Sequence, residues 1–544
     1  MSFFRHLPLL LLLIIPVSTA AVSLQDEMQA LEAQHTQKGP RLLIKKIIVD
    51  GFKPYPEKDI TLVNLQNIIT KALNHHNNRL LLDDIYTITD YLTAAYSDAG
   101  LTFHQVTLPP QEVINHTIRI KVVEGVLGDI SAFSDKQVDE QFLKSAYLPF
   151  YQKSIDQKEI EEATLLLNET PGLEVFSYYS RGIGPGESRL NVRVQDSEVW
   201  NGFMRFDNHG DDSTGEYRLL GSLIWHRPLM SADELTFSIM HSADPENNLY
   251  GTVSYRMPVI GYRTFLGFLI SNNEFDLGGD FTALEANGTS TNVQLDLFYK
   301  HARGSNFNQD FSLYVNSKNS DLKNTLNNTL LTQDQESQGL GLTWSVNNIS
   351  QNKFLKNNLF LNLYSGKYDK GFSTLDGESF IKSNLAYDLN WQLSNPTSFS
   401  FSDLHFKFAG QASSDRLPAY ERNLLTGPYA VRAYDSSVSS ADKALVASIE
   451  FTLLSSNWLG NHAFSRYTKP YIFYDIAFGE LNTNVAGSTT EFDVAGFGFG
   501  LFYRLHKQLT GNISASKGLM LEYDGIEQNL DETRVFFDMV YRFK

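Results

Sequence analysis

The residue types that most often carry chemistry are thinly spread through this chain of 544 residues. It contains no cysteine, which removes disulfides, thiolate metal sites and a thiolate nucleophile. No serine sits in a Gly-x-Ser-x-Gly turn, and no His-Glu-x-x-His helix offers a pair of zinc ligands. The 13 histidines are dispersed, and His75-His76 stands among asparagines as a solvated turn would. No Gly-x-x-x-x-Gly-Lys loop offers to cradle a nucleotide phosphate. These residues predict no catalytic centre, no metal site and no cofactor. A site assembled from distant segments is the one enzymatic reading left open.

The elements must then be read for what else they could position. The formal charge of −17, without a basic cluster, argues against a nucleic-acid partner. Arg5 and His6 precede an apolar run from Leu7 to Val17, followed by Ser18, Thr19, Ala20 and Ala21. That run is shorter than the roughly 20 apolar residues a spanning helix needs. The pattern predicts a secretory leader over 1–20, cut near Ala20, with a membrane anchor as the alternative. In residues 21–40, Leu24, Met28 and Leu31 recur at helical spacing, predicting a short amphipathic helix ended before Gly39-Pro40.

Residues 41–125 alternate strand and helix patterns in the order β-α-α-β-β. An apolar run through Ile47, Ile48 and Val49 stops at Asp50-Gly51. Leu65, Ile69 and Leu73, and then Ile85, Ile88, Leu92 and Tyr96, mark two helical faces. Strands around Phe103–Leu108 and Thr117–Val123 complete the unit. Residues 126–197 repeat the same order less clearly, so two copies of one α+β module are expected.

From Glu198 onward a period of two replaces the helical one. Leu235, Phe237 and Ile239 alternate with Thr236 and Ser238; Phe497, Phe499 and Leu501 alternate with Gly498 and Gly500. A transmembrane barrel, apolar outside and polar within, has this signature, and so does a soluble sandwich. The leader, the 37 Phe and 26 Tyr, and a final strand through Val535, Phe537, Met539, Tyr541 and Phe543 favour the barrel over residues 198–544. Polar residues from Asn316 to Asn352 read as a long extracellular loop, their Asn-x-Ser/Thr sequons as composition.

Several motifs resemble one family. Leu108-Pro109-Pro110-Gln111, Ile118-Arg119-Ile120 and Val123-Glu124-Gly125 resemble the first polypeptide-transport-associated (POTRA) domain of two-partner secretion transporters, the TpsB family of the Omp85 superfamily. Asp207-Asn208 with Gly210, Thr214-Gly215, Pro228-Leu229 and Asp233-Leu235 resemble the start of its barrel. Val431-Arg432-Ala433-Tyr434, within Leu417 to Lys443, resembles the family's Val-Arg-Gly-Tyr loop, which folds into the barrel lumen; Glu421, Gly427 and Glu450 fit too. Phe473-x-Asp475-x-Ala477 resembles the Phe-x-Asp-x-Gly pattern of the wall facing that loop.

The resemblance implies α+β periplasmic POTRA domains followed by an all-β transmembrane barrel of 16 antiparallel strands. It implies that Arg432 pairs with Asp475, that the Leu24–Leu31 helix plugs the resting pore, and that the assembly machinery reads the Tyr541–Phe543 terminus. The partners it implies are a secreted exoprotein of adhesin or haemolysin type, outer-membrane lipid and the barrel-assembly machinery. The implied function is export without ATP, with a barrel-assembly factor as the alternative and a passive porin behind it. Both expected glycines are alanine here, Ala433 and Ala477, and Lys544 follows the expected terminal aromatic.

Overall fold

The computed structural model describes residues 39–543 except 135–137, 244–247, 279–285, 327–328, 351, 353, 370–377, 394–400, 454–466, 483–487 and 529–532. The leader at 1–20 and the helix expected at Leu24, Met28 and Leu31 lie outside the described residues. Two compact units form. One holds the described residues to Ser131 with Leu148–Ile160 and Tyr178–Asn191; the other holds Ala132–Tyr147, Glu161–Ser177 and the chain from Val192 onward.

In the first unit the helices Leu62–His75 and Leu82–Asp98 lie over a small sheet. The first begins where the Thr61 hydroxyl accepts the Asn64 N–H at 3.2 Å, a side-chain cap. The second begins where the Asp84 carboxylate accepts the Leu81 N–H at 2.7 Å, its charge favoured by the positive end of the helix dipole. Strand Thr117–Val123 lies between Lys46–Asp50, which runs parallel to it, and Gln105–Thr107, which runs antiparallel. Ile118, Ile120 and Val122 from the central strand pack against Leu65, Ile69, Ile85, Leu92 and Tyr96. Residues 126–197 supply a second sheet, in which Glu187–Ser197 lies between Val126–Phe133 and Leu173–Arg181.

The second unit contains a closed barrel of 16 antiparallel strands. The first, Trp200–Asp207, pairs with the last, Thr533–Phe543, from Asp538 opposite Asp207 to Phe543 opposite Gly202. Closure is what a bilayer demands, because an open sheet edge would leave backbone groups unpaired in hydrocarbon. The period of two is the physical trace of the two solvents. Phe237, Ile239, Leu295, Leu297, Phe497, Phe499, Met539 and Tyr541 project outward and exposed, as a lipid-facing band would.

The stretch from Asn316 to Asn352 is corrected by the structure. Its described residues as far as Ile349 belong to two long strands, Phe307–Leu326 and Thr329–Ile349, paired from Phe307 opposite Asn348 to Leu326 opposite Thr329. A tilted strand crosses the hydrocarbon in about 9–11 residues. The remaining residues of a longer hairpin rise into water, so their composition is polar although their backbone is a strand.

One charge-sensitive element lies in the first unit. His104 is buried and stacked on Tyr96, with ring centroids 5.2 Å apart. Burial pushes its imidazole below the ordinary value, against the pull of Glu124. An unfolded histidine titrates near about 6.5, so the unfolded chain binds more protons below that pH. This contribution to stability is therefore complete above about pH 6.5 and is lost as the pH falls through the folded value. Thermal melts of a fragment spanning residues 39–197 should lose more stability between pH 7.5 and 5.5 than those of its His104→Phe variant; equal losses would contradict the assignment.

Candidate functional site

The long connection from Ser414 to Asp442 leaves strand Phe401–Ser413 and returns to strand Lys443–Leu453. It is not structureless: a 3-10 turn occupies Ala419–Glu421, and Asn423 and Leu424 pair with Ala441 and Ser440. Asp442, fully buried, holds this stem by accepting the Leu417 N–H and the Asn482 N–H, each at 2.9 Å. Gly427 turns the arm with φ near +106°, in the region that favours glycine.

Arg432 is the centre of the loop. Its Nε and Nη2 donate to the two oxygens of Asp475 at 2.8 and 2.7 Å, a bidentate fork. Its own backbone N–H donates to the same carboxylate at 3.2 Å. Nη1 donates to Glu450 at 2.8 Å, and Nη2 also reaches the Ser448 hydroxyl at 3.0 Å. The Phe473 ring lies 3.5 Å from the guanidinium carbon, in cation–π contact. The Arg432 carbonyl accepts from the Ser516 hydroxyl at 2.6 Å. Asp475 is wholly enclosed, and its strand Thr468–Asn482 lies beside the strand that bears Ser448 and Glu450. Glu450 has further neighbours in the His405 ring at 3.5 Å and the Lys407 ammonium at 3.7 Å.

Around the charge lies an apolar seat. Val431, Ala433 and Tyr434 are buried with Leu425, Val446, Ala477, Val494 and Leu521. The Tyr434 hydroxyl donates to the Met520 carbonyl at 3.0 Å. Gly496, Gly498 and Gly500 line the inner face of strand Thr489–Arg504. A Cβ on Gly496 would come within 2.5 Å of the Ala433 methyl, and one on Gly498 within 2.3 Å of the Phe473 ring. Ala433 itself does not take a positive φ, so its backbone does not require glycine. The space for its methyl is left by the wall.

The remaining sequence-derived residues fall elsewhere. In the first unit Leu108 packs at the edge of the core, and Pro109 and Pro110 lead to Gln111, whose side chain accepts the Arg119 N–H at 2.8 Å and donates to the Arg119 carbonyl at 2.6 Å. Glu124 receives Lys53 at 2.7 Å, and a Cβ on Gly125 would meet Phe103 at 2.2 Å. Tyr541 and Phe543 lie on the closing strand, Phe543 against Gly202. Sequence reading did not assign the seat to Gly496, Ser448 or Ser516. The alternation of glycine with Phe497 and Phe499 was the available signal for the first.

Comparison with known proteins places these features. The family model described as haemolysin secretion/activation protein ShlB/FhaC/HecB matches residues 186–503, and that described as POTRA domain, ShlB-type, matches 42–125. The chain is similar to the heme/hemopexin transporter protein HuxB of Haemophilus influenzae (strain 86-028NP), 24% identical over 499 residues, covering 88% of this chain and 85% of that protein. It is similar over a shorter stretch to the outer membrane transporter CdiB of Dickeya dadantii (strain 3937), 25% identical over 226 residues, 41% of this chain and 38% of that one. The solved structure of CdiB from Escherichia coli shares the fold with a TM-score of 0.69 at 18% identity, covering 97% of this chain and 100% of that one.

Substitutions at the ion pair and at the glycine wall test the seat. Removing one partner of a sheltered ion pair costs on the order of 3–5 kcal/mol. Arg432→Met and Asp475→Asn should therefore each make the loop susceptible to added protease. The exchange of the two residues should restore protection only in part, because Glu450 would then oppose an aspartate at 432. Gly496→Val should unseat the tip through its contact with Ala433, and adding Ala433→Gly should reseat it. Protease resistance equal to wild type in Gly496→Val would contradict the close packing.

Proposed function

Because this chain belongs to the haemolysin secretion/activation protein family ShlB/FhaC/HecB, an outer-membrane transporter family of two-partner secretion, we propose how its own residues serve export. The barrel lies in the outer membrane and the POTRA region in the periplasm. The client in this reading is one large exoprotein of the adhesin or haemolysin class, held extended before it enters the barrel. Residues 41–125 and 126–197 act as two capturing modules. An edge strand such as Lys46–Asp50 can add an extended segment of the client to its sheet.

The observation that supports this reading most directly is the loop seated across the lumen by Arg432 on Asp475 and Glu450. A passage with such an obstruction suits gated, client-dependent transport better than free diffusion. Arg432 and its carboxylates hold the resting state; the segment at 21–40 adds a plug; the chain end at Tyr541 and Phe543 serves recognition during assembly. Export proceeds without a nucleotide, drawn by folding of the client outside.

Deletion of the gene should remove one large protein from the culture medium and leave the outer-membrane barrel content unchanged. Depletion of many barrels instead would overturn export in favour of assembly. A chain lacking residues 21–40 should show raised resting conductance in planar bilayers, and an unchanged closed state would discredit the plug.

A further inference from the structure

The arm by which the loop enters the lumen makes a second charged contact, on a different part of the wall from Arg432. Glu421 is 5% exposed, at the end of the Ala419–Glu421 turn. One of its carboxylate oxygens accepts from Lys318 and the other from Lys382. Lys382 also donates to the Glu421 carbonyl at 3.4 Å, and the Gln411 amide donates to that carbonyl at 3.3 Å. The lysines are sheltered by rings: Lys318 lies 5.5 Å from the Tyr420 centroid and Lys382 5.6 Å from that of Tyr364. Leu417 completes this arm's seat with Tyr364, Tyr368 and Phe380, an apolar cluster separate from the one under Tyr434.

The barrel order gives these contacts their meaning. Lys318 is on Phe307–Leu326, the seventh strand of the ring, and Lys382 on Glu378–Gln392, the tenth. At the other end of the loop, Tyr434 and the Arg432 carbonyl bind Leu509–Tyr523, the fifteenth. In a ring of 16, the seventh and fifteenth strands face each other. The loop is therefore a beam across the lumen, fastened by charge to the seventh and tenth strands at one end and to the twelfth and thirteenth at the other, where neutral hydrogen bonds carry it on to the fifteenth.

We propose that Glu421, with Lys318 and Lys382, is a second anchor, a positioning residue for the entering arm, and that the passage opens fully only when both anchors release. The inference rests on the transporter reading for its pore and on no property of the client. Each anchor has its own charges and its own apolar cluster, so loss of one leaves the other in place. Neutralising Glu421 removes the attraction that ties the arm to the two wall ammonium groups, so the arm loses its charged hold on the wall.

The purified full-length chain in planar bilayers supplies the test, with heat-modifiable gel migration confirming a folded barrel in every variant. Glu421→Gln should raise the frequency of large-conductance openings at least roughly tenfold, the scale of one lost charge-assisted hydrogen bond. Arg432→Gln should do likewise, and the double variant should open persistently. Glu421→Lys combined with Lys318→Glu and Lys382→Glu should return openings towards wild type, which a residue needed only for folding would not do. If Glu421→Gln fails to fold, Lys318→Met carries the test with the same expected rise. Wild-type conductance in the folded Glu421 or Lys318 variant, or no rescue by the reversed charges, overturns the second anchor. Because no client is present, such a failure leaves export intact, whereas loss of the secreted partner in the deletion strain concerns export alone.

Discussion

A cation enclosed at membrane depth must be matched by fixed partners, and Arg432 is matched on every side. Its fork meets Asp475, its remaining arm meets Glu450, and its flat face meets Phe473. Desolvation makes an enclosed ion pair a poor source of net stability, yet an unmatched partner is expensive. The consequence is positional. The loop is free to occupy few places in the lumen, because few places offer two carboxylates and a hydroxyl in the required directions. The glycines of the facing strand then let the backbone of the tip approach the wall, and Val431, Ala433 and Tyr434 fill what the charge has aligned.

The substitutions of alanine for two expected glycines are accommodated by that same arrangement. Ala433 has an ordinary backbone angle and uses the space left by Gly496. Ala477 is fully enclosed among Val431, Val446 and Val494, so its methyl adds apolar contact where a glycine would leave less. The lumen beside the loop is consequently not uniformly wet. One side of it is filled by a buried apolar cluster that includes Val431, Tyr434, Val446, Val494 and Leu521.

How much of this is legible in the residues depends on range. Alternation such as Leu235-Thr236-Phe237-Ser238-Ile239 declares a wall between two solvents, because each side chain meets only one of them. Tyr96, Leu92 and Ile88 declare a helix face for the same local reason. The hairpin beyond Asn316 was hidden because strands standing above the membrane meet water on both faces and lose the alternation. Glu421 was visible as a motif residue, but its lysines are 103 and 39 residues away and no local pattern joins them to it. Gly496 could be seen, whereas its purpose depends on a methyl from a distant loop. Pairing across a barrel is set by register, and register appears only when all the strands have closed.

The magnitudes also constrain how such a beam could move. Shifting a two-state element from about 1:99 to 99:1 requires a differential free energy of about 5.5 kcal/mol. A ligand moves the equilibrium only by the difference between its affinities for the two states. A client can supply that difference through its own contacts and folding. One domain folding outside provides about 5–15 kcal/mol, comparable to the shift at the low end of that range and well above it at the high end. A chain without cysteine is also free of covalent locks across the lumen. Charge pairs and shallow apolar packing suit a gate of this kind, since each is costly to break alone and each re-forms unaided once the passage empties.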